Sequence, residues 1–150
     1  MTKEEYLNDW KRSRAYTRNV MEAMPEDRAD FRPADGMMSF REQLLHILYA
    51  EEWFLRGILE NDWEQRSEFT AENHPDLPSV KAAYPSASER HWKWIEGMED
   101  LEELVKTPLS DQPIPKKTLL RKLVGHEIHH RGQLIVYLRM CGAEPPAYQV

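Results

Sequence analysis

Where the helix breakers fall constrains this chain more than any other feature of its 150 residues. Prolines and glycines divide it into four long segments poor in both. The first runs from Thr2 to Met24 and stops at Pro25; Tyr6, Trp10, Tyr16 or Thr17, Val20 and Met24 recur along it at near-helical spacing. The second opens at Ser39, with Glu42 three residues on in a capping-box pattern, and continues through Glu60. The third is expected over Ser86 to Lys106, on Trp92, Ile95, Met98 or Glu99, Leu101 or Glu102, and Val105, with Gly97 weakening it. The fourth begins near Thr118, beyond Pro113 and Pro115, and ends at Cys141 and Gly142, with Pro145 and Pro146 blocking its resumption. No alternating pattern bounded by hairpin turns is visible, so strands are not expected. Helices of some 20 residues are about 30 Å long. The expected fold is all-α, a four-helix bundle, with residues 1–150 as a single domain. The connection from Asn61 to Pro85 is the longest, and could join adjacent or diagonal helices.

Composition narrows the function classes. A net charge of -6 and a pI near 5.5 do not suit a surface that neutralises phosphates, so nucleic acid is not an expected partner. Lys11, Arg14 and Arg18 share one helical face, which reads as a solvated face. Cys141 is the only cysteine, which excludes an intrachain disulfide. The N-terminus lacks the apolar core of a secretory signal, and no apolar run approaches the ~18 residues of a membrane span. These features lead to the expectation of a cytoplasmic protein without a membrane partner.

Chemistry concentrates in the run HEIHHRGQL, residues 126–134, which holds three of the six histidines. At 100° per residue, His126 and His130 lie about 40° apart on one face, a spacing that presents two imidazoles to one metal ion. His129 is about 60° away on the other side, so spacing alone allows His126 to pair with either neighbour. His46 interrupts the apolar run LLHILYA and requires a partner there. If the second and fourth helices run parallel, His46 and His126 sit at similar depths and a three-histidine site forms between those helices. Three neutral imidazoles leave coordination positions open, as in catalytic sites, and zinc, nickel and iron(II) all accept them. His74 and His91 read as hydrogen-bonded structural residues.

His126, Glu127 and His130 also spell the H-E-x-x-H of zinc peptidases. That reading fails on its third ligand: positions 133 and 136 hold Gln133 and Val136, and only twenty residues follow His130, with Glu144 lying beyond the helix stop.

The second helix, MMSFREQLLHILYAEEWFLRGIL, together with HEIHHRGQLIVYLRMCGAEPPAY, resembles the DinB/YfiT-like family of proposed metalloenzymes. The resemblance implies a four-helix bundle, often a homodimer, with a divalent metal on the residues matching His46, His126 and His130, and it sets His129 aside as a ligand. Some members resemble metal-dependent S-transferases that use low-molecular-weight thiols such as bacillithiol or mycothiol.

On that basis a bound thiol would attack an electrophilic carbon of a small-molecule substrate. Glu127 and Gln133 are the candidates to orient an imidazole or receive a proton. Arg131 is the candidate clamp for an anionic cofactor. Tyr49 and Trp53, at i+3 and i+7 from His46, are candidates to wall the cofactor pocket. The rival expectation is a metal-stabilised bundle that binds a ligand or partner without chemistry.

Overall fold

The computed structural model describes residues 1–148. Four helices form the bundle: α1 (Lys3–Ala23), α2 (Phe40–Glu60), α3 (Leu77–Glu96) and α4 (Lys116–Met140). Their ends follow local chemistry. Thr2 with Glu5, Ser39 with Glu42 and Asp76 with Ser79 each form a reciprocal capping box at the start of α1, α2 and α3. At the end of α4, Gly142 has φ +73°; its N–H donates to the Arg139 carbonyl at 3.1 Å and that of Ala143 to Leu138 at 2.9 Å. This is the Schellman closure that a glycine past the last turn permits.

Two expectations about the third segment are corrected. The third helix starts at Leu77, nine residues before Ser86, and stops at Glu96. Pro78 occupies its first turn, where no N–H is needed, and Pro85 sits within it at an exposed position. Residues expected to extend this helix instead enter an antiparallel hairpin, β1 (Leu104–Thr107) and β2 (Ser110–Pro115). Val105 and Ile114 are paired across it and pack against the apolar core at that end of the bundle.

The core has two halves. One gathers Val20 and Met21 of α1, Phe40 and Leu44 of α2, Leu77 and Tyr84 of α3, and Leu134 and Leu138 of α4. The other gathers Tyr6 and Trp10, Leu55 and Ile58, Ile95, and Leu119 and Leu123. The C-terminal halves of α1 and α4 therefore meet the N-terminal halves of α2 and α3. So α1 and α4 run one way, and α2 and α3 the other.

Neighbouring helices are α1 with α3 and α4, and α2 with α3 and α4. The parallel assumption for the second and fourth helices is therefore incorrect: α2 and α4 are antiparallel neighbours. Parallel α2 and α3 require a crossover along the bundle's length, which residues 61–76 provide. Trp63 anchors that segment: its indole N–H donates to the Lys106 carbonyl at 3.1 Å, and its own carbonyl accepts from Trp53 Nε1 at 3.0 Å. Its ring lies so close over Gly57 that a Cβ there would collide with it.

Candidate functional site

Antiparallel packing still brings the three histidines together. His46 is in the second turn of α2, and His126 and His130 lie one turn apart on α4. His126 Nε2 is 3.1 Å from both His46 Nε2 and His130 Nε2. The potential ligand atoms of all three lie within 4.8 Å of one another, and no carboxylate or cysteine joins this cluster among the described residues. His46 and His126 are half-buried and His130 is buried.

The protonation states suit a cation. Burial lowers the pKa of His46. Burial, reinforced by repulsion from neighbouring imidazoles, brings His126 and His130 down to about 4. All three rings are neutral at pH 7. His130 is further fixed by Gln43, whose Oε1 accepts from Nδ1 at 2.5 Å. An amide oxygen only accepts, so the proton is on Nδ1 and the Nε2 lone pair faces the other rings.

Gln43 is itself oriented from α4. Its amide nitrogen donates to Gln133 Oε1 at 2.6 Å and to the Tyr137 hydroxyl at 3.3 Å, and Tyr137 donates to the Met38 carbonyl at 2.9 Å. Three nitrogen lone pairs at this spacing repel one another unless a proton or cation lies between them. The donor set fits a divalent ion.

The other expected site residues divide into two groups. Gln133 is beside the cluster: it accepts from Gln43 and, through Nε2, donates to His129 Nε2 at 3.2 Å. His129 is exposed and outside the cluster. Tyr49 is half-buried, its ring centroid 6.2 Å from that of His46. Trp53 lies a turn further along, packed on Phe54 and Trp63.

Glu127 and Arg131 turn towards α1 instead. Arg14 binds the buried Glu127 carboxylate at 3.1 Å and Glu51 at 2.5 Å. Glu127's hydrogen bonds thus go to Arg14 rather than to an imidazole. Arg131 donates through Nη1 to the Ser13 carbonyl at 2.9 Å, the Ser13 hydroxyl at 2.8 Å and Thr17 Oγ1 at 3.3 Å.

Arg14 also corrects the reading of its helical face. Lys11 and Arg18 are exposed, but Arg14 is 3% exposed at the centre of an ionic network. Glu51 accepts from Trp10 Nε1 and lies 2.8 Å from His91 Nδ1, while His91 Nε2 is 3.1 Å from Glu52. His91 is therefore a fully buried, hydrogen-bonded residue, as expected for a structural role. The sequence reading missed Gln43 and this network. Gln43 could have been found at i−3 from His46, on the same helical face.

Fold and site together define a four-helix bundle whose second and fourth helices present three neutral histidines able to hold a metal ion. The DinB family model matches residues 1–150, and the chain belongs to the DinB family. It is 28% identical over 137 residues to the uncharacterized protein YjoA of Bacillus subtilis, covering 91% of this chain and 89% of that one. The crystal structure of YjoA, a DinB-like protein, superposes with a TM-score of 0.76, covering 97% of this chain and 98% of that chain at 26% identity.

A DinB-like protein from Bacillus cereus gives a TM-score of 0.81 at 20% identity, with 97% of each chain covered. YfiT from Bacillus subtilis, described as a probable metal-dependent hydrolase with an unusual four-helix bundle topology, gives 0.66 at 18% identity, over 93% of this chain and 87% of that one. At those identities the last two likenesses concern fold alone. No described helix is long and apolar enough to cross a membrane.

Proposed function

We propose that this protein holds one divalent metal ion on His46, His126 and His130 and activates a low-molecular-weight thiol, whose sulfur bonds an electrophilic carbon as that carbon's leaving group departs and the thiol proton passes to solvent. The observation carrying the metal reading is the convergence of three neutral imidazoles, with His130 held in the Nδ1–H tautomer by Gln43. A divalent ion held by these three histidines would lower the pKa of a thiol bound to it, making the thiolate available near neutral pH.

The protein's own residues supply orientation. Gln43 and Gln133 fix His130 across the α2–α4 interface. Tyr49 offers an apolar wall beside His46.

Water is the other nucleophile such a site could activate, and the hydrolase description of YfiT, a fold relative, favours it as the second reading. Hydrolysis gains from a carboxylate free to act as general base. Here the buried carboxylates Glu51 and Glu127 are both bound by Arg14, and none joins the histidine cluster. A thiol activated by the metal has less need of such a base, which supports the transfer reading.

The test is a matrix of thiols, including bacillithiol, mycothiol and glutathione, against alkylating electrophiles and esters, run with metal-loaded wild type and Gln133→Ala. Metal-dependent thioether formation, slowed in the variant, supports transfer. Ester hydrolysis that is independent of thiol replaces transfer with the second reading. Neither activity under any combination favours the non-catalytic metal-stabilised bundle.

A further inference from the structure

On the α1 side of α4, away from the histidines, lies a cavity of about 350 Å³. Its base holds Arg131, which is 9% exposed and cannot shed its charge near neutral pH. The partners of its Nη1 are all neutral. The buried Glu127 carboxylate on the same helix is bound by Arg14. The Tyr16 ring, with its centroid 4.7 Å from the guanidinium carbon, gives partial compensation.

The Nε and Nη2 edge of Arg131 has no hydrogen-bond partner among the described residues, and this edge matches the two oxygens of a carboxylate. The rest of the cavity suits the body of such a ligand. Tyr16 and Tyr148 stand edge to face with centroids 6.5 Å apart, and Val124 and Ile128 add aliphatic surface. At the rim Asp9 is paired with Arg12 at 2.7 Å, so two arginines face one aspartate and the lining carries a net positive charge. The volume falls within the range typical of small-molecule sites, ~300 to 1,000 Å³.

We infer that the α1–α4 cavity is a second ligand site, binding a small organic carboxylate with an aromatic or aliphatic body, its carboxylate on the Nε and Nη2 edge of Arg131 and its body against Tyr16, Tyr148 and Ile128. The site is separate from the histidine cluster and does not depend on the metal reading.

Benzoate is the probe, titrated into the protein by calorimetry and ligand-observed NMR beside benzamide, which lacks the charge, and acetate, which lacks the body. Saturable benzoate binding is expected, with benzamide and acetate at least about tenfold weaker. Arg131→Gln should abolish it. Because that variant also disturbs the Ser13 contacts, Ile128→Asp serves as the second: its exposed side chain adds a repelling carboxylate at the cavity and should weaken benzoate at least about tenfold while unfolding as wild type does. His46→Ala should bind benzoate normally, which separates this cavity from the metal site. Absence of saturable benzoate binding, equal binding of benzamide, indifference to Ile128→Asp, or loss in His46→Ala would each overturn the inference.

Discussion

Gln43 Oε1 lies 2.5 Å from His130 Nδ1, so a side chain of α2 sets the tautomer of a histidine on α4. Groups that hydrogen-bond the outer nitrogen of a metal-binding histidine typically contribute 10–100-fold to affinity. Gln43→Ala should retain the fold and weaken metal binding by about that factor, measured by competition with a chelator of known affinity. Gln133→Ala should have a smaller effect, because it leaves the Gln43 hydrogen bond to His130 Nδ1 in place. Equal affinities in wild type and Gln43→Ala would show that this contact does not organise the site.

The Arg14 network is a matter of stability. Arg14 is bound to Glu51 and Glu127 with side chains 4–5% exposed, so its removal leaves two buried carboxylates without their cation. Arg14→Met should destabilise the protein by about 3–5 kcal/mol, the usual cost of orphaning a buried charge. Urea unfolding monitored by circular dichroism measures this, and a loss below about 1 kcal/mol would contradict the network's role.

His91 gives stability a pH dependence. Burial works against its charged form, but the Glu51 and Glu52 carboxylates outweigh burial and raise its pKa. A histidine with a raised folded pKa binds its proton more tightly when folded, so its contribution is fully present below the unfolded value of about 6.5. It is lost as pH rises through the folded pKa. Wild type should therefore lose stability relative to His91→Gln as pH increases above about 6.5, read from urea midpoints at successive pH values. Parallel profiles for the two proteins would contradict this assignment.

Gly57 tests the crossover. The Trp63 ring covers its Cα, and Trp63 is tied to Lys106 and Trp53 by hydrogen bonds. Gly57→Ala should cost about 1–3 kcal/mol through overpacking, despite alanine's better helix propensity. A stabilised variant in urea unfolding would show that the segment yields freely.

What was legible in the sequence follows from how local each signal is. The caps at Ser39 and Gly142 are patterns of a few residues, and both ends form where the sequence places them. Pro78 and Pro85 misled the reading of α3, because proline is compatible with a first turn and Asp76 with Ser79 provides a cap strong enough to start the helix there. The hairpin escaped notice because Pro108 and Leu109 join its strands without the glycine or asparagine that marks common tight turns, and two prolines lie in β2.

For the site, helical spacing put His126 on one face with either His129 or His130, and the family resemblance chose His130. His46 joins the cluster although the assumed helix direction was incorrect, since direction is set by the 61–76 crossover and has no local signature. Arg14 illustrates the limit: its helical face appeared solvated because its partners, Glu51, Ser88 and Glu127, are distant in sequence and meet only in the folded bundle.

The central claim is that His46, His126 and His130 hold one metal ion, and elemental analysis of protein purified without a histidine tag tests it most directly. Wild type and His129→Ala should each carry about one divalent ion per chain, and His130→Ala should carry little or none. Wild type that remains metal-free after incubation with zinc, nickel and iron(II), or a His130→Ala variant that keeps a full complement, would contradict the account.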